Sequence, residues 1–172
     1  MKFNEKLREA GLDPSEVSAI LHLTALEPLR SKLPLMVDQY PDLFDAYQSV
    51  HSRQAAATLS NRRFAASFVP YAPRVMIFAG LFEITGKQDL PVTEIYADPR
   101  FARLERDFGA TDTAPTRNLA RGGTQRKFTL FLRGELRTEI GRFMIPRPGT
   151  RAYVRIAANF DTDIMFKPGQ TG

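Results

Sequence analysis

The chain has 172 residues and a mass of 19.4 kDa, room for one domain with at most a small helical annex and not for two full enzyme domains. With 43% hydrophobic residues and 13 Phe it can fill a core, which argues against global disorder, and the absence of cysteine excludes disulfides, thiol nucleophiles and thiolate-bound metals. The net charge of +5 is unevenly spread: residues 1–66 carry eight basic and eight acidic side chains, whereas 117–155 carries ten basic ones against only Glu135 and Glu139.

The first nine residues lack the apolar run of a signal peptide, and no stretch approaches the roughly 18 apolar residues of a membrane span. A cytoplasmic protein with no membrane association is expected. Asp13-Pro14-Ser15-Glu16 has the form of a helix start, with Asp13 as N-cap, Pro14 at the first helical position and Glu16 reaching back as in a capping box. Leu29 to Tyr40 and Asp42 to Leu59 read as further helices. The second repeats Leu43, Phe44, Tyr47 and Val50 at three- and four-residue spacing, and Pro34 and Pro41 delimit the pair.

After Arg63 the period changes to that of strands. Phe64 to Tyr71 predicts a strand, with Pro73 at the following turn. Val75 to Ile84 is apolar on both alternating faces and predicts the central strand, with Gly80 marking a bulge or close backbone approach. Asp107 to Gln125 has no periodicity, contains Pro115 and Gly122-Gly123, and reads as a long loop. Lys127 to Leu132, Ile140 to Ile145, Arg151 to Ile156 and Ile164 to Phe166 follow at the spacing of a small antiparallel barrel or sandwich.

Catalytic patterns are weak. His22 and His51 lack a second histidine at metal-ligand spacing and read as partly buried structural residues. Gly80 to Lys87 fails as a phosphate-binding loop, since five residues separate Gly80 from Gly86 and Gln88 follows the lysine. Asp161-Thr162-Asp163 lacks the third carboxylate of a metal-dependent hydrolase and reads as a solvent-facing turn. Glu83, alone in the most apolar strand, is expected to reach solvent or an arginine rather than act as a base. No catalytic residues, metal or cofactor are expected.

The basic segment carries the stronger signal. Eighteen of the 24 cations are Arg, whose planar fork matches phosphate. A period of two in Arg151 to Ile156 would place Arg151, Tyr153 and Arg155 on one face and Ala152, Val154 and Ile156 on the core side. Pairing with Ile140 to Ile145 through the Pro146 to Gly149 turn would bring Arg142 beside them. The ribbon would be flanked by Arg117, Arg121, Arg126 and Lys127, a surface suited to phosphates with one base stacked on a ring. A solvated basic face is the alternative reading of the same charges.

Two segments carry a family likeness. Arg62-Arg63-Phe64-Ala65-Ala66-Ser67-Phe68-Val69, with Ile77-Phe78-Ala79-Gly80-Leu81-Phe82-Glu83-Ile84, resembles the R-x-A-S-F-I … F-V-G-L-Y-x-I stretch in the N-terminal, non-catalytic region of bacterial GIY-YIG-type nuclease proteins. Gly141-Arg142-Phe143-Met144-Ile145, with Arg151-Ala152-Tyr153-Val154-Arg155-Ile156-Ala157-Ala158-Asn159, is similar to that group's G-R-L-V-I … R-x-W-x-R-x-A-x-N segment. The resemblance implies a DNA-recognition module of a restriction-type nuclease, a barrel similar to the PUA, EVE and SRA folds that capture modified bases. The chain has no Trp, and Tyr153 stands where the group often has one. No G-I-Y … Y-I-G strand pair is present, so cleavage would belong to another domain or subunit.

The resulting expectation is an α+β fold. Residues 1–63 form a helical part packed on a small, mostly antiparallel, PUA-like β-barrel over 64–166, and 167–172 are a tail or linker start. The expected partner is DNA, bound by Arg117, Arg121, Arg126, Lys127, Arg142, Arg151 and Arg155. A modified base would flip into a pocket of Ser67, Phe68, Tyr71 and Tyr153. The alternative is a protein-interaction or regulatory domain docking a partner through Leu43, Tyr47 and Val50.

Overall fold

A computed structural model describes residues 1–23, 26, 33–51, 53–109, 114–149 and 153–166. The chain opens with helix α1 (Phe3–Glu9). Its residues Phe3 and Leu7, four apart, share one face and are fully buried. The Asn4 amide donates both to Asp161 (backbone N–H to Oδ1, 3.1 Å) and to Ala157 (Nδ2–H to the carbonyl, 2.9 Å), and Lys2 pairs with Asp163 at 3.1 Å. The first helix is thereby tied to the far end of the described chain, and the Asp161 and Asp163 carboxylates have structural partners.

Asp13 does cap, accepting from the Ser15 N–H at 2.9 Å, but the helix it starts is only the 3-10 turn Pro14–Glu16. Strand β1 (Val17–Leu21) follows at once, buried on both faces. Helices α2 (Leu33–Gln39) and α3 (Pro41–Gln48) match the expected helical stretches in part. The long helix expected from Asp42 to Leu59 is instead two, interrupted by the short strand β2 (Val50–His51) before α4 (Arg53–Ser60). The expected hairpin of β3 (Phe64–Ala72) and β4 (Val75–Pro91) forms, with β4 extending seven residues past its apolar run.

Within the stretch expected to be a long loop, Asp107 to Gln125, the described residues hold the end of a helix, a further helix and the start of a strand. Helices α5 (Val92–Tyr96) and α6 (Pro99–Phe108) precede it, α6 ending on Gly109 in the left-handed conformation, and inside it α7 (Ala114–Arg121) leads into β5 (Thr124–Leu132). Pro115 is the second residue of α7, a position where its missing N–H costs nothing. Three short strands follow among the described residues: β6 (Phe143–Pro146), β7 (Val154–Ile156) and β8 (Met165–Phe166).

Among the described residues these strands form one mixed sheet in the order β2-β5-β4-β3-β1-β7, with β6 pairing β4 and β8 pairing β6. The β1–β3 pair is parallel and the other pairings are antiparallel. The fold is therefore α+β, a curled sheet forming a half-barrel with several helices. Two features depart from expectation. The N-terminal 63 residues contribute β1 and β2 to the sheet, and β6 does not pair with β7, because β7 crosses to the outer edge of β1.

The bulge at Gly80 is present: Ser67 lies opposite Gly80 and Phe68 opposite Phe78, leaving Ala79 extra. Gly80 has φ of +129°, and a Cβ there would stand 3.1 Å from the Phe82 ring and 3.2 Å from Leu132. The bulge bends the sheet between two cores. One face carries a ring cluster in which Phe78 stacks on Phe143 at 4.7 Å and Phe68 meets Phe3 edge-on at 5.2 Å. On the other, Ile20, Ala65, Phe128 and Val154 pack beneath Ala55, Ala56 and Leu59 of α4. Because Phe128 lies on β5 and Val154 on β7, α4 fills the gap between the two edges of the curled sheet.

Candidate nucleic-acid interface

Where those two edges approach, the interior becomes polar. His51 of β2 stacks on Tyr153, just before β7, with ring centres 5.9 Å apart and His51 Nδ1 3.4 Å from the Tyr153 hydroxyl. His22, one residue past β1, shares a hydrogen bond of 2.9 Å with Ser67 Oγ, and its ring lies 4.4 Å from that of Tyr47 on α3. Both histidines are buried, as expected of structural residues. Burial holds the His22 pKa well below its ordinary value, with the neighbouring His51 adding to the effect, and burial pushes His51 down to about 4. Both imidazoles are neutral at pH 7. His51 Nε2 and the Gln48 side-chain oxygen are buried without a hydrogen-bond partner.

Of the four residues expected to line a base pocket, Ser67 and Tyr153 belong to this polar interior. Ser67 shares the α4-facing side with its register neighbour Ile20 and has no exposed surface. Phe68 points to the opposite face of β3, into the ring cluster with Phe3, Phe78 and Phe143. Tyr71 is half-buried toward the end of β3 and packs on that larger core. The four side chains are not brought to one place.

The seven expected phosphate contacts are also distributed. Arg126 and Lys127 are sequence neighbours on β5 and point to opposite faces. Arg126 lies in a groove beside α4. Lys127 lines a smaller cavity of about 150 Å³ with Ser49, Val50, Asp98 and Arg100. Arg126 is engaged by Asp89, which accepts from its Nε at 2.9 Å, and by Ser60 Oγ at 3.0 Å. Hydrogen bonding from Arg126 holds the Asp89 carboxyl below its usual pKa and raises that of the guanidinium.

Arg121 stands exposed at the end of α7, and Arg142 is exposed just before β6. Arg155 lays its guanidinium over the Phe160 ring at 5.5 Å. The Arg117 side chain and Arg151 lie outside the described residues. Because β6 and β7 do not pair, the expected Arg142–Arg151 juxtaposition through the Pro146 to Gly149 turn has no hairpin to create it.

Other arginines are committed to carboxylates. Arg133 binds Glu135 at 2.9 Å and Glu83 at 3.0 Å, the arginine partner expected for Glu83; Arg100 binds Asp98 at 2.7 Å, and Arg137 binds Asp38 at 2.8 Å. By contrast, Arg121, Arg142, Arg147 and Arg74 have no carboxylate partner among the described residues. Arg147 and Arg74 meet at the β3–β4 turn, where the Arg147 N–H donates to the Arg74 carbonyl at 2.9 Å. Arg74 was not singled out by sequence, because it lies outside the basic segment and only the β4–β6 pairing brings it in.

The helical face of Leu43, Tyr47 and Val50, expected to dock a protein partner, turns inward: Leu43 is 2% exposed and Tyr47 packs on His22 and Phe44. Phe131, which sequence reading left unremarked, is instead 64% exposed on β5. No described helix is long and apolar enough to cross a membrane, and the described residues contain no group of three or more His, Asp or Glu side chains placed to hold a metal ion. No protein-family model, curated protein or solved structure matches the chain.

Proposed function

We propose that this chain is a nucleic-acid-binding module, directed at DNA, that recognises its ligand for a nuclease function carried elsewhere. The observation that carries the reading is the division among its arginines. Arg100, Arg126, Arg133 and Arg137 are paired with carboxylates, whereas Arg121 near one end of β4, Arg74 and Arg147 at the other, and Arg142 between them beside Phe78 stand without one among the described residues, as does Arg155 on β7. Uncommitted guanidinium groups release counterions when they meet phosphates, which is the sequence-independent source of nucleic-acid affinity.

The uncommitted cations are strung along the length of β4. From Met76, opposite Ile145, to Asp89, opposite Arg126, β4 runs thirteen residues, on the order of 40 Å of strand path at about 3.3 Å per residue. A duplex following β4 would present backbone to both ends. The resemblance to the N-terminal region of GIY-YIG-type nuclease proteins, and its PUA-like implication, add a restriction-type role in which a modified base is the recognised feature.

The test is a mobility-shift panel of modified, unmodified, duplex and single-stranded oligonucleotides at low salt, run with wild type and an Arg121→Ala/Arg142→Ala variant. A duplex shift weakened in the variant is expected. No shift with any probe would overturn the reading and favour a protein-docking role through the exposed Phe131.

A further inference from the structure

Arg126 and Asp89 are register partners across β5 and β4. Two guanidinium nitrogens hold both carboxylate oxygens, Nε to Oδ1 at 2.9 Å and the second terminal nitrogen to Oδ2 at 3.2 Å. The remaining nitrogen donates to Ser60 Oγ at 3.0 Å, at the last residue of α4. The serine fixes the plane of the fork, so the guanidinium is presented in one orientation.

A groove of about 370 Å³ opens at this pair, lined by Ala56, Ala57, Asp89, Thr124, Gln125 and Arg126. Its α4 wall consists of two alanines, too short to fill it. Thr124 and Gln125 follow directly on Arg121-Gly122-Gly123, so an uncommitted cation stands in the segment that enters the groove. Asp89 is the outer member of the pair, with 58% of its side chain exposed against 32% for Arg126.

A phosphate offers the same pair of oxygens to an arginine fork as a carboxylate does. Exposed ion pairs are also weakly held and readily exchanged. The geometry points to the α4–β5 groove as a phosphate site whose fork is occupied by Asp89 in the free protein and is taken over by a backbone phosphate of the nucleic acid on binding. Asp89 is then an internal competitor: it disfavours isolated anions and yields to a polyanion held at Arg121 and Arg142 as well. This inference rests on the nucleic-acid reading above and adds to it a site and a competing group.

The experiment is fluorescence anisotropy with a short labelled DNA duplex over a series of potassium chloride concentrations. It uses wild type, Asp89→Asn, Arg126→Ala, Arg126→Lys, and Asp89→Asn combined with each Arg126 change. Glu105→Gln serves as the control for an added unit of net charge, since Glu105 is exposed on α6 and has no ion pair among the described residues. Asp89→Asn is expected to tighten binding roughly threefold or more beyond the control and to steepen the log–log salt slope by about 0.9, one phosphate contact. Arg126→Ala and Arg126→Lys are each expected to abolish that gain, the lysine because a point charge lacks the fork. Equal effects of Asp89→Asn and Glu105→Gln, or a gain that survives removal of Arg126, would overturn the inference while wild-type binding leaves the module reading standing. Absence of wild-type duplex binding overturns both.

Discussion

The two ends of β4 are built on different physical terms. From Met76 to Phe82 the strand is buried, flanked by β3 throughout, by β6 at Met76 and Ile77 and by β5 at Phe82, and its ring contacts are apolar: Phe78 on Phe143, Phe68 on Phe78, Phe82 on Phe44. From Thr85 to Pro91 it is largely exposed and pairs only with β5, and its side-chain contacts include the Asp89–Arg126 pair. Burial of aromatic surface stabilises the first region, where each ring is worth kilocalories. In the second, contacts between exposed charges contribute little to stability and remain exchangeable. One continuous strand therefore links a rigid body to a surface whose charges are available to a ligand.

The sharpest way to break this contrast is at the ring cluster. Phe143 is fully buried and touches Phe3, Phe68 and Phe78. Phe143→Ala should cost about 3–5 kcal/mol by cavity formation, read as a large fall in the denaturant midpoint. A loss under about 1 kcal/mol would mean that this cluster does not anchor the body.

A smaller, pH-dependent effect comes from the polar interior. His22 and His51 are neutral when folded and, once unfolded, take up protons as pH falls through about 6.5. The unfolded state then binds more protons, so stability is complete above that pH and is lost as pH drops, the His51 contribution levelling off near its folded value of about 4. His51 alone should remove about 2 kcal/mol by pH 5. Urea midpoints at pH 7 and pH 5 read this directly, and equal midpoints would contradict the burial of neutral imidazoles at the meeting edges.

The contrast along β4 was partly legible from residue order. The apolar run from Val75 marks the buried half, and Gly80 marks the bulge, because a glycine inside such a run has a restricted set of backbone reasons to be there. β1 was hidden for two reasons. Val17 to Leu21 is buried on both faces and so shows no alternation, and the genuine cap at Asp13 precedes it but serves only one 3-10 turn. β2 is two residues long, below the reach of any periodicity. Pro115 disguised α7 as loop, although proline is compatible with a helix's first turn.

The candidate interface was less legible. Clustered arginines are visible in sequence, but which of them remain free depends on carboxylates distant along the chain, such as Asp38 for Arg137, Glu83 for Arg133 and Asp89 for Arg126. The crossing of β7 to β1, rather than to its chain neighbour β6, likewise depends on the whole sheet.

The most direct test of the central claim is the salt dependence of wild-type duplex binding. Engagement of about five backbone phosphates predicts a slope of about −4 to −5 in log affinity against log salt, at roughly −0.9 per contact. Affinity that stays level as salt rises would contradict the account, because binding would then owe nothing to the uncommitted arginines along β4.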